Sequence, residues 1–217
     1  MSNNSKPVFG EKVTTPAGRL GFNHLESPDS GGQYSDDKFK CDVIFEEGTK
    51  LTVLKKKALD CAKEKWGDDI CLDDLYFPPL KDGNLQYKED EDTGEKTHYD
   101  GYKGAAYLSA KSKNRPGIVD GSRNPFPANE TYSGIEVKVN ITPMAFEIKE
   151  KGREPKKGIT WLLNGVQVGR QLDRFGVGVR SAAETFTDWE PEDEVTAVVD
   201  KTDSKTKKKG SDLSADL

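Results

Sequence analysis

Apolar and polar residues alternate with a period of two through several stretches of this chain and follow a helical period in one. Phe39, Cys41, Val43 and Phe45 alternate with Lys38, Lys40, Asp42 and Ile44, which predicts a strand with one apolar face. In residues 104–115, Ala106, Leu108 and Ala110 share one parity, and Tyr107, Ser109, Lys111, Lys113 and Arg115 share the other. In residues 134–148, Ile135, Val137, Val139 and Ile141 alternate cleanly, and Pro143 then shifts the apolar phase to Met144, Phe146 and Ile148. A bulge, bend or turn is expected there. Ile159, Trp161 and Leu163 precede Asn164-Gly165, a turn or bulge signal, and Val166 and Val168 follow it. The parity that Trp161 shares with Ile159 and Leu163 favours the core over a stacking platform. An earlier strand is predicted around residues 19–25, before the turn-rich stretch from Ser27 to Gly32.

One substantial helix is expected. Leu51, Leu54, Ala58, Leu59, Ala62 and Trp66 form a stripe of helical period, lysines fill most of the other face, and Gly67 is placed to end the element. Residues 73–103 are acidic and turn-rich and read as a long, poorly packed loop insertion. Residues 1–17 read as a flexible N-terminal arm, and beyond Arg180 the periodicity stops, so 181–217 reads as a disordered, mostly acidic tail. What lies between is a mainly β domain with one substantial α-helix, which fits a small barrel better than a parallel sheet with crossover helices.

Charge adds an asymmetry. The formal net charge is -5, yet residues 182–217 hold ten carboxylates and five lysines, which leaves 28 charges of each sign in residues 1–181. The body is neutral and the tail carries the excess. The N-terminal residues are polar, and no run approaches the ~18 apolar residues of a membrane span. An intracellular, soluble protein without a membrane partner is expected. Cys41, Cys61 and Cys71 form no CxxC pair, and His24 and His98 are the two histidines, so neither a disulfide framework nor a metal or other cofactor is expected.

The predicted strand at 104–115 carries the most chemistry. Its outward parity would present Tyr107, Lys111, Lys113 and Arg115 together, and residues 103–123 hold five bases against one acid. An aromatic ring followed by cations suits a nucleic-acid strand, whose bases stack and whose phosphates pair with cations. Residues 151–174 repeat the bias with six bases against two acids. Tyr34, beside Gly31-Gly32, is a candidate stacking group. Two rival readings stand beside this one. The acidic runs Glu89–Asp92 and Glu190–Glu194 could serve a metal-dependent nuclease or recombination enzyme, although they lie in loop-like sequence. Alternatively, the basic strands could be solvated surface on a structural interaction protein. An acidic tail beside a basic groove also suggests that the tail competes with nucleic acid for the groove.

Gly18-Arg19-Leu20-Gly21-Phe22-Asn23-His24-Leu25-Glu26 and the stretch from Tyr34 to Phe39 resemble the opening of the phage single-stranded DNA-binding protein family. The likeness continues through the lysine-rich helix ending at Trp66, Pro79-Leu80-Lys81-Asp82-Gly83 and the run from Ala110 to Asp120. It includes Tyr132-Ser133-Gly134 and the run from Leu163 to Gln167, and as a whole it covers about residues 18–178. The resemblance implies an OB-fold five-stranded barrel over 18–180 that coats single-stranded DNA in phage replication and recombination, without enzymatic activity. It implies a place in the cytoplasm of the infected bacterial host. It also implies DNA contacts from Lys111, Lys113 and Arg115, stacking by Tyr34 and Tyr107, and further contacts from Arg19 and Arg123. Whether duplex DNA binds too is left open. Residues 184–217 would recruit a polymerase or helicase-primase. The tail departs from the family pattern: its densest acids are internal, at 188–194, and a basic cluster at 205–209 precedes Ser214-Ala215-Asp216-Leu217.

Overall fold

The computed structural model describes residues 6–30, 35–90 and 93–176. In chain order the elements are β1 (Val8–Phe9), β2 (Val13–Thr14), β3 (Gly18–Asp29), β4 (Lys38–Phe45), α1 (Thr52–Trp66), β5 (Lys81–Asp82), β6 (Tyr87–Glu89), β7 (Lys96–His98), β8 (Ala106–Ser112), β9 (Gly117–Val119), β10 (Glu136–Ile148) and β11 (Lys156–Val168). Three short 3-10 turns complete the set.

Five of these strands close a ring in the order β3-β4-β8-β11-β10 and back to β3. Its neighbours are antiparallel except β8 and β11, which run parallel. Counted along the chain, the ring runs first, second, third, fifth, fourth, which is the Greek-key barrel of the OB fold. Two seams are short. β8 meets β11 through Ala110 and Lys111 opposite Trp161 and Leu162, and β3 meets β10 through Gly18 and Arg19.

The inward parity of each strand fills the barrel, with Leu20, Val43, Leu108, Val137, Val139, Ile141 and Trp161 almost fully buried. Trp161 donates its indole N–H to the Pro79 carbonyl at 2.7 Å, so its one polar atom is satisfied inside the core. The helical stripe packs as its spacing requires. Leu54, Ala58, Cys61 and Ala62 are buried, α1 lies against β1 and β10, and Gly67 ends it at φ 92°. Cys41 and Cys61 are buried free thiols, and Cys71 is exposed.

The structure departs from the sequence reading in four places. Residues 8–15, expected to be a loose arm, lie along β10, where Val8 faces Ala145, Val13 faces Ile141, and Thr15 is buried. Ser27–Asp29, expected in a loop, extend β3. The predicted phase shift at Pro143 does not occur: Ile141 and Ala145 both face the core, and the register shift falls across the pairing, where Asn164 is the extra residue of β11. The fourth concerns 73–103, which is partly packed. Tyr102 is 2% exposed, β5 pairs with β8, and β6 and β7 form a hairpin. A tyrosine that anchors a polar loop through long-range contacts leaves no periodic trace in the sequence. The reading of 181–217 lies outside the described residues.

Candidate nucleic-acid interface

The outer faces of β3, β4 and β8 turn toward a groove of about 930 Å³. Strand parity aims Lys40 and Asp42 from β4 and Tyr107, Ser109 and Lys111 from β8 toward it. β3 contributes Phe22 and His24 by way of a bulge. Gly21 pairs with Asp42 and His24 with Lys40, so Phe22 and Asn23 together oppose the one residue between, and Phe22 adopts φ 39°. Residues 76–79 and the end of β10 form the opposite wall, while Lys81 lies beside Tyr107 of β8.

That wall is aromatic. Phe77 stacks on Phe146 with ring centroids 5.6 Å apart, and Tyr76 meets Phe77 edge-on at 4.7 Å. Tyr76 is 62% exposed and Ile148 41% exposed. The Lys156 ammonium stands 4.9 Å from the Tyr76 ring centre. Backbone hydrogen bonds fix the wall, since Phe77 N–H donates to the Lys157 carbonyl at 3.2 Å and Ile159 N–H donates to the Phe77 carbonyl at 3.0 Å. Gly158 makes this approach feasible, because a Cβ there would lie 2.6 Å from the Phe77 Cβ.

The other wall is ionic. Lys111 Nζ and Lys38 Nζ lie 3.0 and 2.9 Å from the same oxygen, Asp36 Oδ2, and Lys40 pairs with Asp29. Burial pushes the Asp36 carboxyl up, but hydrogen bonds from Lys38 and Lys111 outweigh it and hold the group below the usual aspartate value. Lys81 Nζ donates to Ser109 Oγ at 3.0 Å and sits 5.4 Å from the Tyr107 ring centre. The concave wall strips water from that ammonium and lowers its pKa, with Asp42 opposing the shift. Asp42, nearly buried in the groove floor, accepts a hydrogen bond from the Tyr102 hydroxyl at 2.7 Å. Burial raises its pKa against hydrogen bonds from Ser109 and Tyr102 and the charges of Lys81 and Lys40. Gly21 leaves the space through which the Tyr102 hydroxyl reaches it.

The residues singled out from the sequence fall in different places. Lys111 and Tyr107 line the groove. Tyr107 does not stand free as expected of an exposed face. It is 6% exposed, packs edge-on against Tyr102 at 5.0 Å, and donates its hydroxyl to Gln86 Oε1 at 3.0 Å. Burial, with Asp42 nearby, has its phenol pushed up to about 12. Lys113 and Arg115 are exposed beyond the end of β8. Arg123 is exposed at φ 70° in a turn held by Asp120, whose carboxylate accepts from the backbone N–H groups of Ser122 and Asn124. Arg19 is committed elsewhere. Its guanidinium donates to the Gly134 and Asp173 carbonyls and lies 4.6 Å from the Phe175 ring centre. Tyr34 lies outside the described residues, as do Glu91 and Asp92 and the whole of the second acidic run. Among the described residues no three His, Cys, Asp or Glu side chains are placed to hold a metal ion.

Sequence reasoning missed the aromatic wall. Its signal was present: Phe146 and Ile148 are apolar residues at the outward parity of a strand whose inward parity was already apolar. Such a strand is covered on both faces or offers an apolar outer one.

Comparisons with known proteins bear on this geometry. Residues 11–196 match the family described as Enterobacter phage Enc34, ssDNA-binding protein. A curated relative, putative protein p50 of Acyrthosiphon pisum secondary endosymbiont phage 1, is 30% identical over 174 residues, which cover 78% of this chain and 89% of the relative. Among solved structures, the single-stranded DNA-binding protein from bacteriophage Enc34 in complex with ssDNA superposes with a TM-score of 0.54. It is 20% identical, and the match covers 76% of this chain and 89% of that one. A C-terminal truncation of the Enc34 protein also gives 0.54, at 18% identity, over 79% of this chain and 98% of that one. At these identities the structures establish the shared fold.

Proposed function

The chain belongs to the family of the Enterobacter phage Enc34 ssDNA-binding protein, and on that footing we propose that it coats single-stranded DNA along the groove, as a binding protein and not an enzyme. The observation that carries the reading is the pairing of two walls. Tyr76, Phe77 and Phe146 offer ring surface on one side, and Lys40, Lys81 and Lys111 stand with their ammonium groups on the other. Bases stacking on such rings contribute ~1–3 kcal/mol each, and lysines tracking phosphates read no base edges, so binding is largely sequence-independent. The face of the second and third barrel strands, here β4 and β8, is where OB barrels take oligonucleotides.

Lys113 and Arg115 extend the cationic line past the end of β8. Tyr107 contributes as wall under Lys81, and Tyr34 and Arg123 remain candidates for further contacts, whereas Arg19 is held by the Gly134 and Asp173 carbonyls. Residues 184–217 supply the contact for a replication polymerase or helicase-primase, in the cytoplasm of a phage-infected host. The test of the groove is Tyr76→Ala, a truncation of an exposed ring. Affinity for an oligo-dT is expected to fall about fivefold or more, the loss of one stacked base, with an unchanged circular dichroism spectrum. Unchanged affinity would remove the aromatic wall from the site.

A further inference from the structure

Asp36 Oδ2 receives two ammonium groups, from Lys38 at 2.9 Å and from Lys111 at 3.0 Å. The two lysines come from adjacent antiparallel strands of the barrel, and Lys111 stands directly across from Lys40. Two cations from separate strands that converge on one anionic oxygen make a geometry a phosphodiester oxygen fits equally well. We propose that Lys38 and Lys111 form a phosphate subsite of the groove and that Asp36 fills it in the DNA-free protein. The proposal rests on the single-stranded DNA reading given above.

The carboxylate is replaceable. Its side chain is 30% exposed, and those of Lys38 and Lys111 are 27% and 42% exposed, so water is at hand for the displaced group and the ion pairs are of the weak, solvent-screened kind. The arrangement recurs at the other end of the same connection, where Asp29 pairs with Lys40. Both carboxylates subtract positive charge from the wall that would meet phosphates. A displaced Asp36 also remains near the incoming phosphate and repels it. The aspartate therefore sets affinity and salt dependence below what the lysines alone would give. Lys38 is thereby a DNA-binding residue that strand parity alone did not single out.

The experiment titrates the full chain and Asp36→Asn with a labelled oligo-dT over a range of salt, after matched thermal melts show both folded. Asp36→Ser runs beside them to exclude an effect of the new amide. Both variants are expected to bind about fivefold tighter at about 50 mM salt, the factor a carboxylate ~4 Å from a phosphate costs in water-like surroundings. The log–log salt slope should steepen by up to about 0.7, one phosphate contact on a single strand. Lys111→Ala should weaken binding more in the Asp36→Asn background than in the parent. Equal affinities and slopes, or additive effects of the two substitutions, would overturn the subsite while leaving groove binding intact. A parent chain that fails to bind oligo-dT would overturn the groove reading first.

Discussion

In the proposed function, Lys111, Lys113 and Arg115 mark the path by which a phosphate backbone would leave the groove. Lys111 is inside it, and the other two are exposed past the last residue of β8. Alanine at Lys113 or Arg115 is expected to weaken oligo-dT binding and flatten the salt slope by about 0.7 per residue, and alanine at Lys111 to flatten it by less, measured by titration at several salt concentrations. Lys111 should give the smaller effect at low salt, because its ammonium is already shared with Asp36. Asp42 is the opposite kind of residue, a carboxylate the fold buries for the sake of a Tyr102 hydrogen bond. Its pKa is raised in the folded chain, so the folded state binds the proton more tightly than the unfolded state does. The ionised group therefore costs stability at pH values above its folded pKa, and that cost disappears as pH falls below the ordinary aspartate value. Asp42→Asn keeps an acceptor for Tyr102 and is expected to be more stable than the parent at about pH 8 and no more stable at about pH 3. Urea unfolding at both pH values checks this, and an advantage that grew toward acid would contradict it.

Among the elements, residues 76–82 decide the shape of the site. β8 and β11 pair only through Ala110–Lys111 and Trp161–Leu162, and the gap before that contact is bridged by this one segment, its start beside β11 and its end paired with β8. Phe77 runs beside Gly158, and Lys81 and Asp82 pair with Tyr107 and Ala106. The sequence made the regular elements legible. The stripe from Leu51 to Trp66 is α1, and the alternation of Leu108 and Ala110 with Tyr107 and Lys111 is β8. It concealed residues 76–82 because proline and acidic neighbours argue for a loop, while the partners that order the segment lie in β8 and β11, far along the chain. The same long-range cause pulled residues 8–15 onto β10. Gly158→Ala tests the segment as an element. Its methyl would press on Phe77 and Phe146, so both a lower melting temperature and weaker DNA binding are expected. A melting temperature equal to the parent's would mean the wall is not held by that contact.

At the scale of the molecule, charge is divided unevenly along the chain. Residues 182–217 account for the whole formal charge of -5, while the rest balances 28 acids with 28 bases. We propose that this neutral body binds DNA through local arrangement of cations and not through its average charge, and that the anionic tail competes for those cations when salt is low. Truncation after Arg180 is expected to tighten oligo-dT binding at about 50 mM salt and to matter little at about 200 mM. Equal affinities at low salt would dispose of the competition.

In the proposed function the groove combines stacking with phosphate contacts, and one titration separates the two. Fluorescence anisotropy of the full chain with a labelled oligo-dT and a matched duplex, at about 50 and about 200 mM salt, reads both contributions. Stacking requires unpaired bases, so the single strand is expected to bind more tightly at both salts and to weaken as salt rises. Equal binding of the two forms would show that the aromatic wall takes no bases. No binding of either form would contradict the claim outright.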